Sequence, residues 1–193
     1  MPKNLISAGM SLEFIVGGYR PLTKTGGYKS IPESIISKAV SEVGLEGSKL
    51  PEISVSNSKS IKYTYTKKLD SGKYRIVFPR RLDKRQVPNT LKHELAHVKL
   101  GHTLNSSSTY GDYVRNELEA LKLQRGYLST DDIESVTLTM VLEEGLKPRD
   151  TISVVYWEAK DLGTSSISLS KAQKWLRKYF KERALLIKDL KSH

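Results

Sequence analysis

A chain of 193 residues has room for one or two small domains, and a hydrophobic core without cross-links is within reach at this length. It contains no Cys, which excludes a disulfide framework and thiolate-held zinc, so any bound zinc must rest on His and carboxylate groups. No apolar run is long enough to span a membrane, and the formal net charge of +11 suits nucleic acid or an acidic protein as partner.

Residues 1–29 are rich in Gly and Lys and lack periodicity. Gly17-Gly18 and Gly26-Gly27 break any regular element and no phosphate-loop pattern occurs, so an irregular arm is expected. The apolar stretch Phe14-Ile15-Val16 is too short for a signal-peptide core, which predicts a cytoplasmic protein. Residues 30–125 read as a separate module. Ile31-Pro32-Glu33 opens a helix whose Ile35, Ile36, Ala39, Val40 and Val43 share one face, and Gly44 ends it. Ile53-Ser54-Val55 is a short strand. The runs 61–65 and 74–78 alternate well enough to pair as a hairpin around Asp70-Ser71-Gly72.

The next helix is expected from Thr90 to Leu100. Pro88-Asn89-Thr90 starts it, with Asn89 or Thr90 as N-cap, and Gly101 stops it. Leu91, Leu95 and Val98 follow the helical period. This helix carries His93-Glu94-Leu95-Ala96-His97, the H-E-x-x-H pattern of helical zinc sites. Residues four apart share a helical face, so both imidazoles can grip one ion. Zn²⁺ accepts neutral His nitrogens and in catalytic sites takes three protein ligands, leaving a place for water. Glu94 lies beside that place without being forced to ligate, so it can take a proton from the water.

A third ligand is required. His102 falls past the helix end and off the gripping face, where a polar residue near the negative helix end is its plain reading. The segment 103–111 reads as a Ser-rich loop, and helix-forming residues follow from Tyr113 to Leu121. Glu117 and Glu119 on that helix cannot share a face, so one meets the metal while the other points elsewhere. Tyr110, Tyr113, Arg115 and His102 are near enough in sequence to serve as oxyanion donors, and nothing ranks them.

The run H-E-L-A-H-V-K-L-G-H from His93 to His102, followed by E-L-E-A from Glu117 to Ala120, resembles the ImmA/IrrE family of small metallopeptidases. Asn116-Glu117 also resembles the Asn-Glu pair of thermolysin-type gluzincins. Beyond Ala120 the chain reads Leu121-Lys122-Leu123-Gln124-Arg125-Gly126 and departs from the family. The resemblance implies that Glu117, the first acid of the E-x-E-A pair, completes a His93, His97 and Glu117 zinc set. It further implies a specific intracellular protein as substrate, such as a repressor or stress regulator.

Residues 126–193 read as an added basic helical unit. Ser129-Thr130-Asp131-Asp132 caps a helix running to Glu144, closed by Gly145 and Pro148. Thr151 to Leu162 is apolar, with Val154, Val155, Tyr156 and Trp157. A last helix is expected from Ser170, with Gln173 completing a capping box. Ala172, Trp175, Leu176, Tyr179, Phe180, Ile187 and Leu190 form its apolar stripe, and Trp175 and Phe180 are expected to be buried. Lys171, Lys174, Arg177, Lys178 and Lys181 crowd its other side and are the candidates for contact with nucleic acid or an acidic partner. The junction before this helix is faintly similar to a helix-turn-helix, with too long a turn. Charge is uneven along the chain. Residues 51–90 carry 10 − 3 = +7, residues 91–150 carry 7 − 10 = −3, and residues 151–193 carry 9 − 4 = +5.

The expected fold class is α+β. A small zincin-like module would combine a short mixed sheet with hairpin, the H-E-x-x-H helix and a Glu-bearing helix, with a C-terminal helical unit attached. The expected activity is zinc-dependent endopeptidase. The competing expectation is a non-enzymatic protein that zinc stabilises and whose basic flanks hold a partner; a fourth protein ligand such as His102 would favour it.

Overall fold

The computed structural model describes residues 29–45, 47, 50–58, 64–79, 83–102, 109–164 and 167–191, the side chains of 143, 144 and 182–191 excepted. The expected N-terminal arm therefore lies outside the described residues apart from Lys29. Among the described residues the fold is α+β, with six helices and one three-stranded mixed sheet. The chain divides into two compact units, Met1–Gly126 and Tyr127–His193.

The first unit contains α1 (Glu33–Val43), β1 (Glu52–Val55), β2 (Tyr65–Lys68), β3 (Tyr74–Phe78), α2 (Val87–Leu100) and α3 (Tyr110–Arg125). The strand order is β1-β3-β2, with β1 parallel and β2 antiparallel to β3. The hairpin closes where the Leu69 N–H donates to the Lys73 carbonyl at 2.7 Å. Gly72 takes φ +80° in this turn, a conformation that a residue with a Cβ adopts only with strain. Ile76 and Phe78 of β3, Val87, Leu91, Leu95 and Val98 of α2, and Ala39 and Val43 of α1 form one buried cluster. Each large aliphatic or aromatic member contributes about 1.5–3 kcal/mol by leaving water. Two polar contacts tie α1 to α2 at their edges. Lys92 pairs with Glu42 at 2.8 Å, and Lys99 Nζ donates to the Val43 carbonyl at 2.8 Å, where α1 leaves a carbonyl without a helical partner.

Several boundaries differ from the sequence reading. The helix with the H-E-x-x-H pattern begins at Val87 rather than Thr90, with no side-chain cap at Gln86. Pro88 sits in its first turn, where a missing N–H costs nothing, so Asn89 and Thr90 are already helical. The second strand is Tyr65–Lys68 rather than 61–65, and residues 61–63 lie outside the described residues. A tight turn at 70–72 pairs Lys68 with Tyr74, and an edge strand tolerates the lysines that obscured it. Tyr110 and Gly111 belong to α3, not to the preceding loop, because Thr109 and Asp112 form a reciprocal capping box.

The second unit contains α4 (Thr130–Glu144), α5 (Pro148–Asp161) and α6 (Leu169–Lys191), each packed on the other two. The Ser129 and Asp132 capping box opens α4 as expected. Pro148 does not close that helix but opens α5 from its first turn. α6 starts before Ser170. Ser168 accepts from the Lys171 N–H at 3.4 Å, in place of a Ser170 and Gln173 box. Ala172 and Leu176 of α6 are buried, but Trp175 and Phe180 are only half-buried. Those aromatics lie toward the margin of the stripe. Trp175 stacks on Tyr179 with ring centres 5.4 Å apart, and Tyr179 meets Phe180 edge-on.

Candidate metal centre

Helix α2 runs through the middle of the first unit, packed against α1, α3 and β2. Its apolar residues Leu91, Leu95 and Val98 face the core cluster. That placement turns His93, Glu94 and His97 toward α3 and β2, and all three are buried. α3 is anchored by buried Val114, Leu118 and Leu121, and it brings the equally buried Glu117 to the two imidazoles.

The three donors form a compact triangle. His93 Nε2 and His97 Nε2 are 3.1 Å apart. Glu117 Oε2 lies 3.2 Å from His93 Nε2, and Glu117 Oε1 lies 3.5 Å from His97 Nε2. A tetrahedral zinc site with bonds of about 2.0–2.1 Å has ligand-to-ligand edges of about 3.3–3.4 Å. The triangle therefore has the dimensions of three corners of such a site, and His93, His97 and Glu117 could hold a metal ion. Two imidazoles and one carboxylate form a donor set that zinc and other first-row divalent ions accept. Of the two acids left open by spacing, Glu117 is the one in the triangle.

The electrostatics favour the same use. Burial pushes His97 down to about 3, so its ring is neutral and offers a lone pair. Burial would lower His93 too, but the hydrogen bond and charge of Glu117 hold it above its ordinary value. Burial would raise Glu117, and His97 and His93 together keep it below the ordinary carboxyl range. Both shifts reflect the mutual attraction of the His93 ring and the Glu117 carboxylate, at the position where a cation would compete.

Glu94 is placed differently. One oxygen, Oε2, accepts from the Thr66 hydroxyl of β2 at 2.6 Å. The other, Oε1, is buried with no hydrogen-bond partner among the described residues. Burial raises this carboxyl to about 7, against the pull of His93 and Thr66. A carboxyl poised near neutrality with one bare oxygen is suited to exchanging protons.

Some neighbours escaped the sequence reading, and others take a role it did not give them. Thr66 holds Glu94 from a strand far away in sequence. His102 is not a plain end residue: its Nδ1 lies 3.3 Å from His97 Nδ1, and its Nε2 lies 3.2 Å from Glu119 Oε2. Glu119 also accepts from Arg115 Nε at 3.1 Å. His102 stands behind His97, on the ring nitrogen opposite the triangle, so it is not a fourth corner. Arg115 and His102 are engaged with Glu119, and Tyr110 and Tyr113 are half-buried on the first turns of α3. None of the four is singled out as an oxyanion donor. His93 Nδ1 is buried without a hydrogen bond of ordinary geometry. Gln124, which donates to the Asn89 carbonyl at 3.0 Å, is close enough to strengthen His93 as a base.

In the second unit Lys171, Lys174, Arg177, Lys178 and Lys181 are all exposed on α6. At about 100° per residue they fall within an arc of about 120°. No helix among the described residues is long and apolar enough to cross a membrane. No family model, curated protein or solved structure matches the chain.

Proposed function

We propose that the chain is a zinc-dependent endopeptidase that hydrolyses a peptide bond in a specific protein. The observation that carries this reading is the His93, His97 and Glu117 triangle with the half-bonded Glu94 carboxylate next to it on α2. The resemblance of the two helical motifs to ImmA/IrrE metallopeptidases supports it.

A bound Zn²⁺ would supply Lewis-acid polarisation of the scissile carbonyl and acidify the attacking water. His93 and His97, through Nε2, and Glu117, through its carboxylate, would hold the ion. Glu94 receives the proton of the attacking water on Oε1 and returns it to the leaving amine. Thr66 keeps the other oxygen occupied, so the carboxylate presents one edge. β2 carries Thr66 and stands at the edge of the sheet. An extended peptide adding along β2 would therefore run past Glu94. By analogy alone, the substrate is an intracellular repressor or regulator.

The test is cleavage of a mixed peptide library by zinc-loaded protein, read by mass spectrometry beside Glu94→Gln. The wild type is expected to cut, and Glu94→Gln to lose cleavage by at least about 100-fold while keeping its zinc. Undiminished cleavage by Glu94→Gln would remove Glu94 from the reaction. The non-enzymatic alternative loses support from the position of His102, which faces the back of His97 rather than the triangle.

A further inference from the structure

The last turn of α2 and the middle of α3 share a line of polar side chains that the reaction above does not use. α2 ends at Gly101, whose φ of +78° reverses the chain, and the His102 N–H donates back to the His97 carbonyl at 2.9 Å. The reversal lays the His102 ring against that of His97, with centres 5.5 Å apart. Glu119 then faces His102 and accepts from Arg115, one turn earlier on α3. His97 and His102 are at least half-buried, so water competes poorly for these groups.

Each neutral imidazole has one N–H and one lone pair. If Nε2 of His97 offers its lone pair to a metal, its Nδ1 must carry the proton. Among the described residues, its acceptor is the lone pair of His102 Nδ1. His102 must then carry its own proton on Nε2, where the Glu119 carboxylate accepts it. The contacts at 3.3 and 3.2 Å thus admit a single consistent assignment of protons. Metal-bound His commonly donates its second nitrogen to a carboxylate or carbonyl, which fixes ring orientation and basicity. Here a second imidazole stands between ligand and carboxylate.

We infer that His102 and Glu119 are positioning residues that orient His97 through a His97–His102–Glu119 relay, with Arg115 steadying its outer end. This rests on the metal-centre reading above. It gives both acids of the E-L-E-A segment a role: Glu117 in the triangle and Glu119 behind it.

The test is zinc affinity of the full chain, measured by competition with a chromophoric chelator, for wild type, Glu117→Ala, His102→Ala, Glu119→Ala, Glu119→Gln and the His102→Ala/Glu119→Ala double variant. Loss of either relay residue is expected to weaken Zn²⁺ binding about 10- to 100-fold. The double variant should lose little more than the larger single loss, since both act through one ring. Glu119→Gln keeps an acceptor for His102 and should recover part of the loss. If an alanine variant fails to fold, comparison of Glu119→Gln with wild type decides, together with histidine ¹⁵N spectra of the zinc-loaded wild type. Those spectra should show His97 protonated on Nδ1 and His102 on Nε2. Relay variants within about twofold of wild type, while Glu117→Ala loses zinc, would overturn the relay and leave the centre standing. The opposite His102 tautomer would do the same. A wild type without zinc affinity would overturn both.

Discussion

Replacing Glu94 by Gln should make the metal-free protein more stable, and only above mildly acidic pH. In the fold this carboxyl titrates at about 7, against 4.5 as its ordinary value, because it is buried beside a single hydroxyl donor. Between those values the folded chain binds more protons than the unfolded chain, so its stability falls as pH rises through the window. Below 4.5 the group is neutral in both states and the burden disappears. At ~1.4 kcal/mol per pKa unit, a displacement of this size corresponds to about 3 kcal/mol when fully expressed. Between about pH 5 and about pH 8 the advantage of Gln over Glu should therefore grow by about 2–3 kcal/mol. Any constant difference between the two side chains, such as the amide's own unmet hydrogen bond, cancels in that comparison. Urea unfolding of both chelator-treated proteins at the two pH values measures it. An advantage that is the same at both pH values would refute the claim that a strained, ionisable carboxylate is stored at this position. Since the same substitution is expected to end cleavage, the result would show stability exchanged for activity at one residue.

Other outcomes follow from single interactions. Thr66→Val leaves Glu94 Oε2 without its donor, so kcat/KM of cleavage should fall about tenfold with zinc content unchanged, and Thr66→Ser should restore it. A loss of zinc in Thr66→Val would mean that Thr66 acts on the ligands rather than on Glu94. Lys99→Met removes the donor to the Val43 carbonyl at the end of α1 and should cost about 1 kcal/mol in thermal or urea unfolding. If the exposed cations of α6 meet nucleic acid, changing Lys171, Lys174, Lys178 and Lys181 to Gln should flatten the salt dependence of DNA binding, by a slope of about 0.9 for each phosphate no longer neutralised. Wild-type DNA binding that ignores salt would exclude that role.

The ligand helix and its two imidazoles were legible because helical spacing alone places His93 and His97 together. Spacing left the choice between Glu117 and Glu119 open and only the resemblance pointed to Glu117, since the choice depends on the rotation of α3 against α2, which the packing of Val114, Leu118 and Leu121 sets. Thr66 carried no signal, because a hydroxyl on a strand rich in lysine matches no motif and its link to Glu94 exists only once β2 lies along α2. His102 was misread for a local reason. Counted along an ideal helix it leaves the gripping face, but Gly101 ends the helix and folds it back onto His97. Proline misled twice, at Pro88 and Pro148, where it opens a helix from the first turn rather than standing before one or after one.

Elemental analysis of the purified chain equilibrated with zinc tests the centre most directly, for wild type beside Glu117→Ala and Glu119→Ala. About one zinc per chain is expected in the wild type, none in Glu117→Ala, and near-full occupancy in Glu119→Ala at saturating zinc. A wild type free of metal, or a Glu117→Ala protein that keeps a full equivalent, would contradict the account.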